Sequence, residues 1–91
     1  MEKQINQGSI LVIDDELVMC ELLRDLLSDR GYTVSHALSG EEGVKAFKKG
    51  SFNLVITDLK LPDLSGIQVL EAIRGDDPDA VIIVMTGYPS F

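Results

Sequence analysis

Ser9-Ile10-Leu11-Val12-Ile13-Asp14-Asp15 sets four aliphatic residues in a row before two carboxylates. A strand with one wet face alternates apolar and polar residues, so an unbroken apolar run predicts a strand buried on both faces. Working outward, the same form recurs twice. Asn53-Leu54-Val55-Ile56-Thr57 runs into Asp58, and Ala80-Val81-Ile82-Ile83-Val84-Met85 runs into Thr86. Thr33 to Ala37 is a weaker strand pattern, and helical patterns cover Glu16 to Arg30, Glu41 to Lys49 and Ile67 to Arg74. Continuous apolar strands separated by helices predict an α/β fold with a doubly wound parallel sheet and helices on its faces.

Local signals agree with this division. Ser39-Gly40-Glu41-Glu42 and Ser65-Gly66-Ile67-Gln68 both fit a capping box, with serine at the N-cap and Glu or Gln three residues later. Arg30-Gly31, Lys49-Gly50 and Arg74-Gly75 read as helix stops. The cation suits the negative helix end, and glycine can take the left-handed turn that closes it. In the first helix Met19, Leu22, Leu23, Leu26 and Leu27 recur at helical spacing and predict one buried face. With Val18 and Cys20 beside them the apolar arc reaches about 200°, wider than contact with one sheet needs. Something besides the sheet is expected to cover it.

Composition narrows the function classes. At 91 residues the chain is read as one domain, residues 1–91, with a thin core. Aromatic residues are 5% and tryptophan is absent, so that core is aliphatic. Eight Lys and Arg against fifteen Asp and Glu give a net charge of −7, which argues against direct binding of nucleic acid or an anionic membrane through a basic face. It suits a cation site or a basic partner, or simply solubility. A single cysteine, Cys20, excludes an internal disulfide and a multi-cysteine metal site, and reads as a small apolar residue. Met1 to Gly8 carry no hydrophobic signal region, and Ala80 to Met85, the longest apolar run, is too short to span a bilayer. A cytoplasmic location is expected.

Oxygen-bearing residues stand at three strand ends: Asp14 and Asp15, Asp58, and Thr86. In doubly wound sheets ligands bind beyond the carboxyl ends of the strands, where strand order reverses. If the first and third strands are neighbours, about 4.8 Å apart, three carboxylates converge. Like charges that close raise one another's pKa, and a hard divalent cation such as Mg²⁺ relieves the repulsion. Plainer readings stand beside this one. Asp14 or Asp15 could cap the first helix, Asp58 could begin a turn, and Thr86-Gly87 could be an ordinary turn. The Lys60 side chain and His36 read as solvated surface. No Ser-His-Asp grouping is present, and no glycine-rich phosphate loop follows the first strand.

Taken in order, these motifs resemble the receiver domains of two-component response regulators. The resemblance rests on Leu-Val-Ile-Asp14-Asp15-Glu16, on Asp58-Leu-Lys60-Leu-Pro62-Asp-Leu-Ser-Gly66, and on Val-Ile-Ile-Val-Met-Thr86-Gly87-Tyr88, and runs from about Ser9 to the last residue. It implies a flavodoxin-like fold and a phosphoacceptor module of signal transduction, rather than a turnover enzyme. It implies that Asp58 takes a phosphoryl group from a phosphohistidine on a sensor kinase or histidine phosphotransfer protein. Asp15, Asp58 and the backbone carbonyl of Lys60 would bind Mg²⁺, with Asp14 acting largely through water. Thr86 would bond a phosphoryl oxygen and act as the switch residue, and Gly87 would leave room for entry.

A receiver continues with a helix, a fifth strand bearing a lysine and an aromatic switch partner, and a last helix. These need roughly 30 residues beyond Phe91, so strand order 2-1-3-4 is expected, with the fifth strand and last helix missing. An edge left at Ala80 to Met85 predicts a homodimer or segment-exchanged assembly through that strand and the first helix. The alternative function is a receiver-like interaction or dimerisation module that no longer switches. A Mg²⁺-dependent phosphohydrolase fits poorly, because Asp14-Asp15-Glu16 lacks the Asp-x-Asp spacing such enzymes use.

Overall fold

A computed structural model describes residues 7–86. The elements run β1 (Gly8–Ile13), α1 (Leu17–Ser28), β2 (Tyr32–Ala37), α2 (Gly40–Lys49), β3 (Leu54–Asp58), α3 (Gly66–Asp76) and β4 (Ile82–Met85). Among the described residues the sheet has order β2-β1-β3-β4, as the receiver resemblance implied, and every pair is parallel, as the apolar runs predicted.

Successive strand residues face opposite sides of the sheet, so the unbroken apolar runs feed two cores. Leu11, Ile13 and Val55 point to one side, where Phe47 of α2 and Val69 and Ile73 of α3 close over them. Ile10, Val12 and Ile56 point to the other, where Cys20 of α1 meets them. Gly43 lets α2 come this near: a Cβ there would collide with the Ile13 side chain.

Several local expectations are corrected. In α1 the five residues read as one buried face are divided: Leu23 and Leu27 pack beside Cys20, while Leu22 is 52% and Leu26 56% exposed. The reason is lateral, since among the described elements α1 packs on β1 and β2 only. The three glycine stops also differ. Gly31 has φ +93° and makes the left-handed turn after α1. Gly50 is extended, with the Phe52 ring packed where a side chain would stand. Gly75 lies inside α3, which closes at Asp77 by an N–H bond to the Ile73 carbonyl at 2.8 Å.

The two capping boxes are unequal. Ser65 and Gln68 complete theirs, each side chain accepting from the other's backbone N–H. Ser39 accepts from Glu42 N–H at 3.2 Å, but the Glu42 carboxylate accepts from Leu38 N–H rather than Ser39 N–H. β4 begins at Ile82, not Ala80, because Ala80 N–H is taken by the Asp77 carbonyl in a turn.

Candidate functional site

Strand register assembles the site. Ile13 pairs with Thr57, so the residues that follow, Asp14 and Asp58, stand side by side at the carboxyl edge of the sheet. Asp58 pairs with Met85, which sets Thr86 just beyond Asp58 on the other flank. One carboxylate oxygen from each of Asp14, Asp15 and Asp58 lies within 4.8 Å of the others. The convergence of three carboxylates expected from neighbouring first and third strands is therefore present.

The three acids differ in setting. Asp14 is 4% exposed, Asp58 half-buried and Asp15 exposed. Asp14 accepts from the Glu16 N–H at 2.9 Å, a turn that leads the chain into α1. The plainer reading of Asp14 is thus partly realised, although the N-cap position itself is Glu16, which makes no side-chain cap bond. Burial raises the Asp14 pKa above the ordinary carboxylate value, the Glu16 N–H opposes this, and the charges of Asp58, Asp15 and Glu16 raise it further. Such an anion gains from any cation placed among its neighbours. The Asp58 carboxylate accepts a long bond, 3.4 Å, from Lys60 N–H.

A cleft of about 510 Å³ opens over this cluster, lined by Asp15, Glu16, Asp58, Thr86 and the loop Leu59, Lys60, Leu61 and Pro62. Asp14, the most buried of the three, is not among the residues that line it. The loop is held close: Leu59 N–H donates to the Met85 carbonyl and Gly66 N–H to the Leu59 carbonyl, both at 2.7 Å. A Cβ on Gly66 would stand 2.6 Å from the Asp58 carbonyl oxygen, so the residue must be glycine for the loop to return there. Lys60 and His36 are exposed, as read from the sequence. Gly87 lies outside the described residues.

Sequence reasoning passed over two residues here. Glu16 lines the cleft, and its adjacency to the acidic pair was the available signal. Asp63 carries its carboxylate to the start of α2, more than twenty residues earlier in the chain, and no local pattern announces that contact.

Cys20 is fully buried and donates to the Asp14 carbonyl at 3.4 Å. Burial, with the Asp14 charge, pushes its thiol up to about 11, so it packs rather than reacts.

The sequence matches the response regulator receiver domain family over residues 10–90. It is 35% identical over 81 residues to the transcriptional regulatory protein ZraR of Escherichia coli K12, covering 89% of this chain and 18% of that protein. It is 35% identical over 86 residues to the uncharacterized transcriptional regulatory protein YkoG of Bacillus subtilis, covering 94% of this chain and 38% of that one. The chain thus spans well under half the length of these relatives. Among solved structures it resembles the response regulator TrrA of Thermotoga maritima in complex with Mg²⁺ and BeF, with TM-score 0.85, 43% identity, and coverage of 90% of this chain and 71% of that one. The complex of histidine kinase ThkA with TrrA matches at TM-score 0.85 and 41% identity, covering 93% of this chain and 73% of that one.

Proposed function

The chain belongs to the response regulator receiver domain family, and on that premise we propose that it accepts a phosphoryl group on Asp58 in two-component signalling. The observation that carries this is the meeting of Asp14, Asp15 and Asp58 beside Thr86 at the carboxyl edge of the sheet. A carboxylate oxygen of Asp58 attacks the phosphorus of a phosphohistidine. An O–P bond forms, the P–N bond breaks, and its electron pair returns to the imidazole nitrogen, which takes up a proton. Open to the cleft on one side, Asp58 is reachable by a donor, and Thr86, which lines the same cleft, would donate its hydroxyl to a phosphoryl oxygen. Phosphoryl transfer asks the protein mainly for alignment and charge neutralisation.

The donor set fits a hard divalent cation: all ligands are oxygen, and three carboxylates crowd within 4.8 Å. Asp15, Asp58 and the Lys60 carbonyl would hold Mg²⁺, with Asp14 acting through water. Mg²⁺ there supplies positive charge against the phosphoryl oxygens. A histidine kinase or phosphotransfer protein is the partner this chemistry needs, and a kinase is seated on the related TrrA. The exposed apolar flank of α1, Val18, Leu22 and Leu26, begins next to the acidic cluster and is the surface such a partner would cover. No helix of the described residues is long and apolar enough to cross a membrane, and the cytoplasm is the proposed compartment.

Intact-mass measurement with Mg²⁺ and a small phosphodonor tests the reading. One phosphoryl group should be added, none in Asp58→Asn, and much less in Asp15→Asn. A folded chain that stays unmodified, or an Asp58→Asn variant that is still modified, overturns it. The reading as an interaction module that no longer switches is not favoured, because the acidic cluster and Thr86 are assembled together.

A further inference from the structure

Asp63 lies at the tip of the loop between β3 and α3. One of its carboxylate oxygens, Oδ1, accepts from Gly40 N–H at 2.8 Å and from Leu64 N–H at 2.9 Å. The other, Oδ2, accepts from Glu41 N–H at 2.9 Å. Gly40 and Glu41 are the first two residues of α2, whose N–H groups have no partner inside the helix. Ser39 takes the third, on Glu42. The cap of α2 is therefore shared between its own N-cap residue and a loop from elsewhere in the chain. A carboxylate is well suited to it, since bonds from backbone N–H to an ionised acceptor are strong and the helix N-terminus favours negative charge.

Packing supports the same contact independently. A Cβ on Gly40 would stand 2.8 Å from the Leu64 Cβ, so loop and helix end touch without room for a side chain between them. The helix is in turn anchored to β1, through Gly43 against Ile13. From Asp63 back to the cleft the loop is closed on itself. Leu61 N–H donates to the Leu64 carbonyl at 3.2 Å, and Lys60 pairs with Ser65 in an antiparallel bridge. Lys60 is the residue whose N–H reaches Asp58.

We infer that Asp63 is a positioning residue for the cation site: it latches the loop to α2 and so sets where the Lys60 backbone stands relative to Asp58. This rests on the reading of the site as a Mg²⁺ and phosphoryl site. Without the latch the loop keeps its own internal bonds, the Leu59 bond to Met85 and the packing of Leu64 on Gly40, but loses the hydrogen bonds that fix it to the start of α2. The Lys60 carbonyl then samples positions away from the carboxylates. A group that orients a ligand in this way affects metal affinity by on the order of tenfold.

The test is Mg²⁺ titration of the full chain, followed by the amide resonances of Asp58 and Lys60. Asp63→Ala should weaken Mg²⁺ binding roughly tenfold. Asp63→Asn, which keeps one acceptor oxygen and loses the bond to Glu41, should fall between. Ser39→Ala removes the other cap of the same helix without touching the loop. It should lower thermal stability while leaving Mg²⁺ affinity unchanged. Equal Mg²⁺ affinity in wild type and both Asp63 variants overturns the inference alone, as does an equal loss in Ser39→Ala. A wild-type chain that binds no Mg²⁺ overturns the reading of the site and this inference with it. If Asp63→Ala does not fold, the comparison of Asp63→Asn with Ser39→Ala decides.

Discussion

On one face of the sheet α2 and α3 together close over Leu11, Ile13 and Val55; on the other, among the described residues, only α1 lies over Ile10 and Val12. The first face buries Val69 and Ile73 almost completely. The second leaves Val18 at 77%, Leu22 at 52%, Leu26 at 56% and Ile83 at 48% exposure. Ile83 pairs with Ile56, which belongs to the α1-side core, so the exposed residues of strand and helix lie on the same side. The difference teaches that among the described residues the apolar burial is uneven: area removed from water stabilises the first face, whereas the second keeps much of its apolar area exposed.

The largest effect should come from breaking the closed face. Ile73→Ala removes a side chain that is 1% exposed, and large-to-small changes at such sites cost about 2–5 kcal/mol. Urea or thermal denaturation measures this. A loss under 1 kcal/mol, roughly the average for any substitution, would mean the face is less tightly packed than the structure indicates.

A smaller effect should appear through the helix end on that face. The N–H groups of Glu41 and Gly40 hold the Asp63 carboxyl below its ordinary pKa. A depressed carboxylate pKa means the unfolded chain binds the proton more tightly. Its contribution is then complete above the ordinary carboxylate pKa and is lost as pH falls through the folded value. Stability measured from neutral pH downward should thus fall less steeply in Asp63→Asn than in wild type. Identical slopes would show that the latch contributes nothing to acid sensitivity.

The smallest effect on stability belongs to the open face. Replacing Leu22 and Leu26 by serine should change unfolding free energy by no more than about 0.5 kcal/mol per site. The same double variant should lower affinity for a cognate kinase. A large loss of stability would show that this flank is already covered within the molecule.

Legibility followed the range of the interaction. The strands at Ile10, Leu54 and Ile82 were readable because an unbroken apolar run is a local property. So was the capping box at Ser65 and Gln68, which spans four residues. Gly31 was readable for the same reason, whereas Gly75 carried the same stop signal and yet lies within α3. A stop signal is permissive: the backbone continues wherever the next N–H finds a helical carbonyl, as Asp77 does on Ile73. At the site, the meeting of Asp14, Asp15 and Asp58 was readable from strand ends and motif, Glu16 had a local signal in its place beside the acidic pair, and Asp63 had none.

By itself the sequence determined the alternation of strand and helix, the two-sided burial of the strands and the edge of the sheet on which the acids stand. These depend on residue type and spacing within a few turns of chain. Tertiary structure alone decided which leucines of α1 are buried, because that depends on where the helix sits across β1 and β2. It also decided that Asp14 is buried while Asp15 is exposed, and that Asp63 caps α2 from the loop after β3. Both follow from strand order, which brings together residues that the chain holds far apart.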